Sequence, residues 1–344
     1  MLARRLAALG TAAFVMLGST AVWADTTIKY SSWLPPAHFL WTDVYVPFFE
    51  EIEKVTEGRV KVEVLPKVVG TAASQIEVVR DGLADMSFTV ASYTPGRYVA
   101  SEVGELPLLG NDAAVMGPAY YRHFKEYIEP AGEYDGIKVL SIWMISPLQP
   151  HTEGRPIHSV DDFKGLKLRT PNPNTVMALE LLGGVPILKS STEAFEMLAT
   201  GAIDGQITIP NTIPGFNQLD LLDAVTIIPG GMSNAVNLMF INQDKWAEIS
   251  EEDRKAIEEV AGEKLARDIG VAYMKADEEA LKIFRDNGYE VIEGDEKLRA
   301  DLAEKLKPVE EAWIKRAEEK GVKDPAGQLA ALRAAIAEGE KASQ

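Results

Sequence analysis

Apolar and polar residues between Gly165 and Gly205 follow the pattern of two strands and two helices. Leucines alternate with Lys167 and Arg169, which is typical of a short strand with one buried face. Three further elements are predicted: a helix over Thr175–Leu182 that ends at two glycines, a strand over Val185–Leu188 and a helix over Ser191–Thr200. This order predicts a βαβα unit in which Arg169 lies at the carboxyl end of a parallel strand.

The N-terminal part of the chain repeats this order of elements. The predicted elements are a strand over Ile28–Ser32, a helix over Tyr45–Val55, a strand over Val60–Val64, a helix over Ser74–Leu83 and a strand over Met86–Val90. A Gly-x-x-Asp sequence follows the second helix of both units, at Gly82–Asp85 and at Gly201–Asp204. Glycine at such a point can adopt the left-handed conformation that ends helices. The recurrence predicts two lobes of similar construction.

The remaining patterns indicate how the lobes are connected. Ser146–Pro150 is a predicted crossover, and Ala235–Asn242 is a predicted buried strand that returns to the first lobe. Apolar residues keep helical spacing from Ser250 to Asn287, about 36 residues or roughly 54 Å of helix. Such a helix must lie along both lobes unless Gly262 or Gly270 kinks it. Two further amphipathic helices are expected near Glu296–Lys320 and Ala326–Glu338.

These patterns predict an α/β fold with two lobes, preceded by a secretory signal. Arg4 and Arg5 precede an apolar run, and small residues stand at the −3 and −1 positions before Asp25. We therefore expect cleavage after residue 24 and a mature protein outside the cytoplasm. The predicted division is residues 25–148 and 236–270 for lobe I, and residues 149–235 and 271–344 for lobe II.

Composition and net charge argue against several classes of function. The 344 residues are 46% hydrophobic, which is enough for two cores, and the net charge is −17. This charge argues against binding to nucleic acid or to anionic membranes, but one arginine in a closed cleft can still attract an anionic ligand. The absence of cysteine excludes disulfides, zinc-thiolate sites and thiol nucleophiles.

Motifs of catalysis and of cofactor binding are absent. The chain has no Gly-x-Ser-x-Gly nucleophile elbow, no phosphate-binding glycine loop, no dinucleotide fingerprint and no EF-hand sequence. Its four histidines lack metal-ligand spacing. We therefore expect no catalytic residue, metal or cofactor, and a binding protein in preference to an enzyme. An enzyme on a binding-protein scaffold stays an alternative, because carboxylates are abundant.

Arg169 is the first candidate for a ligand-binding residue. Ligands of open α/β sheets bind at the carboxyl ends of the strands, and a guanidinium there can hold an anion. The alternative is an ordinary surface ion pair. Trp33 and Tyr93 also follow strand ends, where they either cover a ligand between the lobes or pack the lobes together.

Several segments resemble the DctP family, the substrate-binding proteins of tripartite ATP-independent periplasmic (TRAP) transporters. The similar segments are Ala84–Phe88, Tyr93–Arg97, Glu105–Pro107, Asp161–Arg169 and Ala199–Gln206. The resemblance covers essentially the whole mature chain. It implies two α/β lobes around a hinged cleft, a long helix shared between them, and delivery of ligand to a small and a large integral-membrane subunit.

The resemblance also implies roles for individual residues. An arginine at the Lys-x-Arg position holds the ligand carboxylate in this family, which corresponds to Arg169. A second arginine is frequent before the lobe crossing, whereas this chain has no positive charge in Ser146–Gln149. Thr208 stands where the family often has an asparagine, and Asn211 follows about one turn later. Trp33 replaces a small polar residue, which favours a ligand with an apolar or cationic body.

The resulting hypothesis is capture of a small monocarboxylate by a monomeric receptor. Arg169 would grip the carboxylate, with neutral partners and aromatic covers around it. The neutral partners are Gln149, Thr208 and Asn211, and the covers are Trp33 and Tyr93. A sulfonate or zwitterion binder of the same fold is an alternative, as is a protein that presents its ligand to a periplasmic sensor.

Overall fold

Two β-sheets organise the chain in the computed structural model, which describes residues 26–343. The strands are β1 (Thr26–Ser31), β2 (Val60–Val64), β3 (Met86–Val90), β4 (Ile137–Met144), β5 (Gln149–Thr152), β6 (Lys167–Thr170), β7 (Val185–Leu188), β8 (Gly205–Thr208), β9 (Ala224–Ile227), β10 (Val236–Asn242) and β11 (Glu290–Glu293). The predicted signal segment, residues 1–24, lies outside the described residues.

Helices connect and flank these strands. They are α1 (Val46–Val55), α2 (Gln75–Arg80), α3 (Ala113–His123), α4 (Pro173–Leu181), α5 (Ser191–Ala199), α6 (Thr212–Gly215), α7 (Gln243–Glu248), α8 (Glu251–Val260), α9 (Gly262–Asp286), α10 (Glu296–Lys305), α11 (Lys307–Glu319) and α12 (Pro325–Ser343).

Each sheet forms the centre of one lobe. The first has the strand order β2-β1-β3-β10-β4, and the second has the order β11-β9-β5-β8-β6-β7. Parallel pairs join β1 to β2 and β3, and join β6 to β7 and β8, so both predicted βα units are present. β10 returns from the second lobe to lie antiparallel between β3 and β4. The predicted two-lobed α/β fold is confirmed.

The predicted helix from residue 250 to residue 287 is interrupted. Gly262 has a φ of +56°, in the left-handed region that ends one helix before the next begins. α9 is therefore 25 residues long, roughly 38 Å. It packs on α3 and β4 of the first lobe, and Phe284 near its end contacts His151 of the second. The helix still runs along both lobes.

The C-terminal helices contact both lobes. The buried indole of Trp313 in α11 donates to the carbonyl of Val99 at 2.9 Å, and α12 packs on α3. Arg316 pairs with Glu102 at 2.7 Å and donates to Asn174 of α4 at 2.9 Å. Because these helices touch both sides, the proposed assignment of residues 271–344 to the second lobe stays a prediction.

Glycine allows α3 and α9 to approach closely. A Cβ atom on Gly270 would lie 2.6 Å from the carbonyl carbon of Ala113 and 2.7 Å from the Cα of Ala114. These are backbone atoms, which cannot rotate away as a side chain can. The contact joins the long helix to the first lobe.

We expect Gly270→Ala to destabilise the protein by about 1–3 kcal/mol, because the methyl group overpacks this contact. Helix propensity alone favours alanine over glycine by about 1 kcal/mol. The sign of the change in the free energy of unfolding therefore shows whether the clash outweighs the propensity. Urea unfolding checks this, with the exposed Glu278→Ala in the same helix as control. A variant more stable than wild type would contradict the close approach.

Candidate functional site

A small cavity of about 50 Å³ lies between the two lobes. Its walls combine residues that follow strands of both sheets with residues of β10 and α9. The residues that carry its chemistry are Trp33, His38, Phe88 and Tyr93 from the first lobe, Arg169, Ser191, Thr208, Asn211 and Phe216 from the second, and Asn237 and Tyr273 from β10 and α9.

Arg169 is the central side chain of this cavity. It is the third residue of β6 and only 1% exposed. Its Nε donates to the carbonyl of Lys189 at 2.8 Å, a residue that β6–β7 pairing brings alongside. Its Nη2 lies 3.5 Å from the hydroxyls of Tyr93 and Ser191, which is too long for strong hydrogen bonds.

The Arg169 guanidinium is buried without a counter-ion in the described chain. Within residues 26–343, no carboxylate oxygen comes within 4.0 Å of it. The nearby Glu193 instead pairs with Lys189 at 2.9 Å. Burial lowers the pKa of Arg169 from its usual value, because the charged form loses solvation. The alternative of an ordinary surface ion pair for Arg169 is therefore wrong.

Tyr93 joins the lobes beside Arg169. It ends the short helical turn after β3, and its hydroxyl lies 3.0 Å from the hydroxyl of Ser191. The backbone N–H of Ser191, the first residue of α5, donates to the same tyrosine oxygen at 3.1 Å. A first-lobe side chain thus satisfies an unpaired donor at a second-lobe helix terminus.

Trp33 forms an aromatic wall of the cavity. Its Nε1 donates to the carbonyl of Phe88 at 2.9 Å, and its ring stacks on Phe88 with a centroid distance of 4.7 Å. The indole N–H is therefore already used, and the residue contributes apolar surface. His38 adds no charge near neutral pH, because burial lowers its pKa to about 4.

Asn211 is held by the long helix. Its backbone N–H and its side-chain Nδ2 both donate to Oδ1 of Asp277 in α9, at 2.9 and 2.6 Å. Burial raises the pKa of Asp277 to about 6, against the hydrogen bonds from Asn211, which lower it. Thr208, the last residue of β8, also lines the cavity.

The side chain of Gln149 does not line the cavity around which the other predicted residues lie. Its Nε2 donates to the carbonyl of Ile228 at 3.1 Å, and its Oε1 accepts from the Ile228 N–H at 2.9 Å. The side chain thereby continues the pairing between β5 and the segment after β9. The prediction that it offers a hydrogen bond in this cavity is corrected, because both amide atoms are committed elsewhere.

The sequence patterns missed several cavity residues. The sequence does contain a signal for Asn237, because this residue is polar within the otherwise apolar run of β10. It contains no such signal for Tyr273, because Tyr273 fits the apolar stripe of a helix. Ser191 begins a predicted helix, but the pattern does not indicate that Tyr93 contacts it.

Comparisons with known proteins agree with this architecture. The family model for bacterial extracellular solute-binding protein, family 7 (DctP), matches residues 30–316. A TRAP periplasmic solute-binding protein of Bordetella bronchiseptica, solved with bound (R)- and (S)-mandelate, is 32% identical. That comparison has a TM-score of 0.87 and covers 91% of this chain and 99% of the other.

Two further relatives extend the comparison. A marine metagenome TRAP solute-binding protein specific for aromatic acids, solved with 3-hydroxybenzoate, is 27% identical with a TM-score of 0.86; 92% of this chain and 99% of that chain are covered. The outer membrane transporter protein TsaT of Comamonas testosteroni is 26% identical over 321 residues, which cover 93% of this chain and 94% of TsaT.

Two features are absent from the part of the chain that the structure describes. Among residues 26–343, no helix combines the length and apolar character needed to cross a membrane. In the same range, no three histidine, aspartate or glutamate side chains are grouped so as to hold a metal ion.

Arg169→Met removes an unpaired buried charge. We therefore predict that the free energy of unfolding of the ligand-free protein stays unchanged or rises by up to about 2 kcal/mol. Arg316→Met is the matched control. It removes the partner of the buried Glu102 and should cost about 1–3 kcal/mol, reduced by the 37% exposure of Arg316. Equal losses in urea unfolding would contradict the unpaired state of Arg169.

We also predict a pH-dependent stability term from Asp277. Its pKa is raised in the folded protein from 3.8 to about 6, so its stabilising contribution is complete below pH 3.8 and is lost as the pH rises through 6. The free energy of unfolding of wild type minus that of Asp277→Asn should fall by on the order of 3 kcal/mol between about pH 4 and pH 7. A constant difference would show that the carboxylate is solvated.

Proposed function

The chain belongs to family 7 of the bacterial extracellular solute-binding proteins, the DctP family, and we propose that it captures an aromatic monocarboxylate between its lobes. The family consists of solute-binding receptors and is not an enzyme family. TRAP solute-binding proteins bind small organic acids and work with membrane subunits. Delivery of the captured acid to a small and a large TRAP subunit is the corresponding role of this protein.

The buried guanidinium of Arg169 is the observation that carries the proposal. A charge that is desolvated without a partner is unfavourable, and a ligand carboxylate supplies the missing negative charge. Its two oxygens match the planar donor fork of arginine. Each charge-assisted hydrogen bond contributes about 1.5–3 kcal/mol. Burial between the lobes strengthens this attraction, because water is excluded.

The charge of the cavity favours a single carboxylate. Arg169 supplies the positive charge among the described lining residues, since the buried His38 is neutral near pH 7. A dicarboxylate would leave its second charge without a cation. The neutral polar neighbours of the ligand are Ser191, Thr208 and Asn211. Gln149 is not among them, because its amide bonds the backbone of Ile228.

Aromatic walls favour an aromatic ligand body. Trp33, Phe88, Tyr93 and Phe216 line the cavity, and the solved relatives hold mandelate and 3-hydroxybenzoate. The cavity of about 50 Å³ is smaller than the roughly 150 Å³ that encloses benzene in a protein core. Entry of a ring therefore requires the lobes to separate. The contacts of Tyr93 with Ser191 cross between the lobes, so they must lengthen or break to admit the ring.

The place of action follows from the family and from the N-terminal pattern. Relatives are periplasmic binding proteins, and the arginine pair, apolar run and small residues before Asp25 support export through a cleavable signal. We propose that the mature protein acts as a periplasmic monomer. Presentation of the ligand to a periplasmic sensor uses the same site and differs in the partner.

We predict that Arg169→Ala weakens binding of benzoate or 3-hydroxybenzoate about thirtyfold to several-thousandfold, because the ligand charge is left unpaired between the lobes. Arg169→Lys should also weaken binding, since an ammonium lacks the two-bond fork. Isothermal titration calorimetry measures both. Arg299→Ala is the control: this arginine is exposed on α10 and should not affect affinity.

Two outcomes would change the proposal. Wild-type affinity in both Arg169 variants would rule out the guanidinium as the carboxylate site. A tighter complex with benzenesulfonate than with benzoate would move the ligand class to sulfonates while keeping Arg169 as its anchor. A thermal-shift screen of organic acids identifies the best members of either class, because a ligand of the folded state raises the melting temperature.

A further inference from the structure

We propose that the ligand donates a hydrogen bond to the side-chain carbonyl of Asn211, so that the site selects aromatic acids bearing a hydroxyl over those without a donor. This inference rests on the proposed function and names a narrower class of ligand for the same cavity. It comes from the orientation of one buried amide and from the atom that this orientation leaves without a partner.

The orientation of the Asn211 amide is determined by Asp277. Oδ1 of Asp277 accepts both from the backbone N–H of Asn211 and from its Nδ2, the latter at 2.6 Å. An ionised carboxylate has no proton to donate. A rotated amide would place its own carbonyl oxygen against that carboxylate oxygen, which is repulsive. The carbonyl oxygen of Asn211 is therefore directed away from Asp277, and the amide keeps one further N–H on Nδ2.

That carbonyl oxygen has no hydrogen-bond partner in the described chain. Asn211 is 5% exposed, and its Oδ1 is buried and unpaired. The residue lines the cavity that also contains Arg169. The large majority of buried side-chain polar atoms in folded proteins have a hydrogen-bond partner, so each exception needs an explanation. A donor group on the ligand provides one.

A second side-chain amide in the cavity also has a buried, unpaired carbonyl oxygen. Asn237 of β10 also lines the cavity and is 4% exposed, and its Oδ1 is likewise buried without a partner in residues 26–343. Its Nδ2 lies 3.4 Å from the hydroxyl of Tyr273. The polar surface beyond Arg169 thus offers acceptors that the protein leaves unused. Ligand hydroxyls donate to such acceptors, whereas ether oxygens cannot.

Selectivity follows because a site built to bond a hydroxyl disfavours the analogue that lacks it. A methoxy group has nearly the same position and polarity but no proton to give. In this arrangement Asn211 is the specificity-determining residue. Asp277 is a positioning residue that acts through it, by holding the amide in one of its two orientations.

The test compares benzoate, the three hydroxybenzoates and the three methoxybenzoates by calorimetry at about pH 8, where Asp277 is ionised. At least one hydroxybenzoate should bind about tenfold or more tightly than both benzoate and its own methoxy analogue. Benzoate itself should bind in a manner that depends on Arg169.

Two variants separate positioning from packing. Asn211→Leu should bring the affinities for the hydroxy and unsubstituted acids within about threefold of each other, and this ratio is the readout, whatever the affinity for benzoate itself becomes. Asp277→Asn supplies an amide that can donate to the Asn211 carbonyl, so the amide can rotate and turn its N–H₂ to the ligand. The ratio of hydroxy to methoxy affinity should then fall at least about fivefold. A purely structural role for Asp277 would weaken all ligands equally.

The outcomes distinguish this inference from the proposed function. Equal affinity of wild type for benzoate and every hydroxybenzoate, with Arg169 still required, overturns the role of Asn211 alone. Binding of none of these acids overturns the proposed function as well. If Asn211→Leu fails to fold, the affinity ratios of Asp277→Asn decide the question.

Discussion

The desolvated guanidinium of Arg169 is the interaction on which the site depends. It is 1% exposed and donates to one backbone carbonyl, and in residues 26–343 no carboxylate lies within salt-bridge distance. The chain has a net charge of −17, so acidic residues are plentiful. The nearby Glu193 is held by Lys189 and Ser190. The positive charge is thereby left unpaired, and we propose that a ligand carboxylate neutralises it.

Several contacts join the two lobes, and one of them lies beside this charge. The Tyr93 hydroxyl bonds Ser191 next to the guanidinium, and Arg316 of α11 connects Glu102 of the first lobe to Asn174 of α4. The long helix adds a third connection, because Asp277 holds Asn211. Separation of the lobes must break or stretch such contacts, and in our proposal the lobes close around the ligand. Closure also excludes water, which would otherwise weaken the ion pair.

The features that depend on local periodicity could be predicted from the sequence. Strand alternation and helix-ending glycines were sufficient for both βα units and for the position of Arg169 at a strand end. The structure places Arg169, Trp33, Tyr93, Thr208 and Asn211 around one cavity. Their role in ligand binding stays a prediction. The family resemblance contributed the expectation of a carboxylate, which periodicity does not contain.

Long-range contacts account for what the sequence did not predict. The pairing of Gln149 with Ile228 depends on a strand 75 or more residues away, and no local pattern announces it. Tyr273 and Asn237 meet only when α9 crosses the first sheet. Gly262 is compatible both with a continuous helix and with a break. A Cβ atom at this position would lie 2.8 Å from the Tyr121 hydroxyl oxygen, a tertiary approach that no local pattern predicts.

A crystal structure of the protein grown with 3-hydroxybenzoate tests the central claim most directly. We expect the carboxylate to lie between the lobes, with its oxygens about 2.7–2.9 Å from the guanidinium nitrogens of Arg169. A bound acid whose carboxylate faces solvent or another cation, with the Arg169 guanidinium still unpaired, would contradict it.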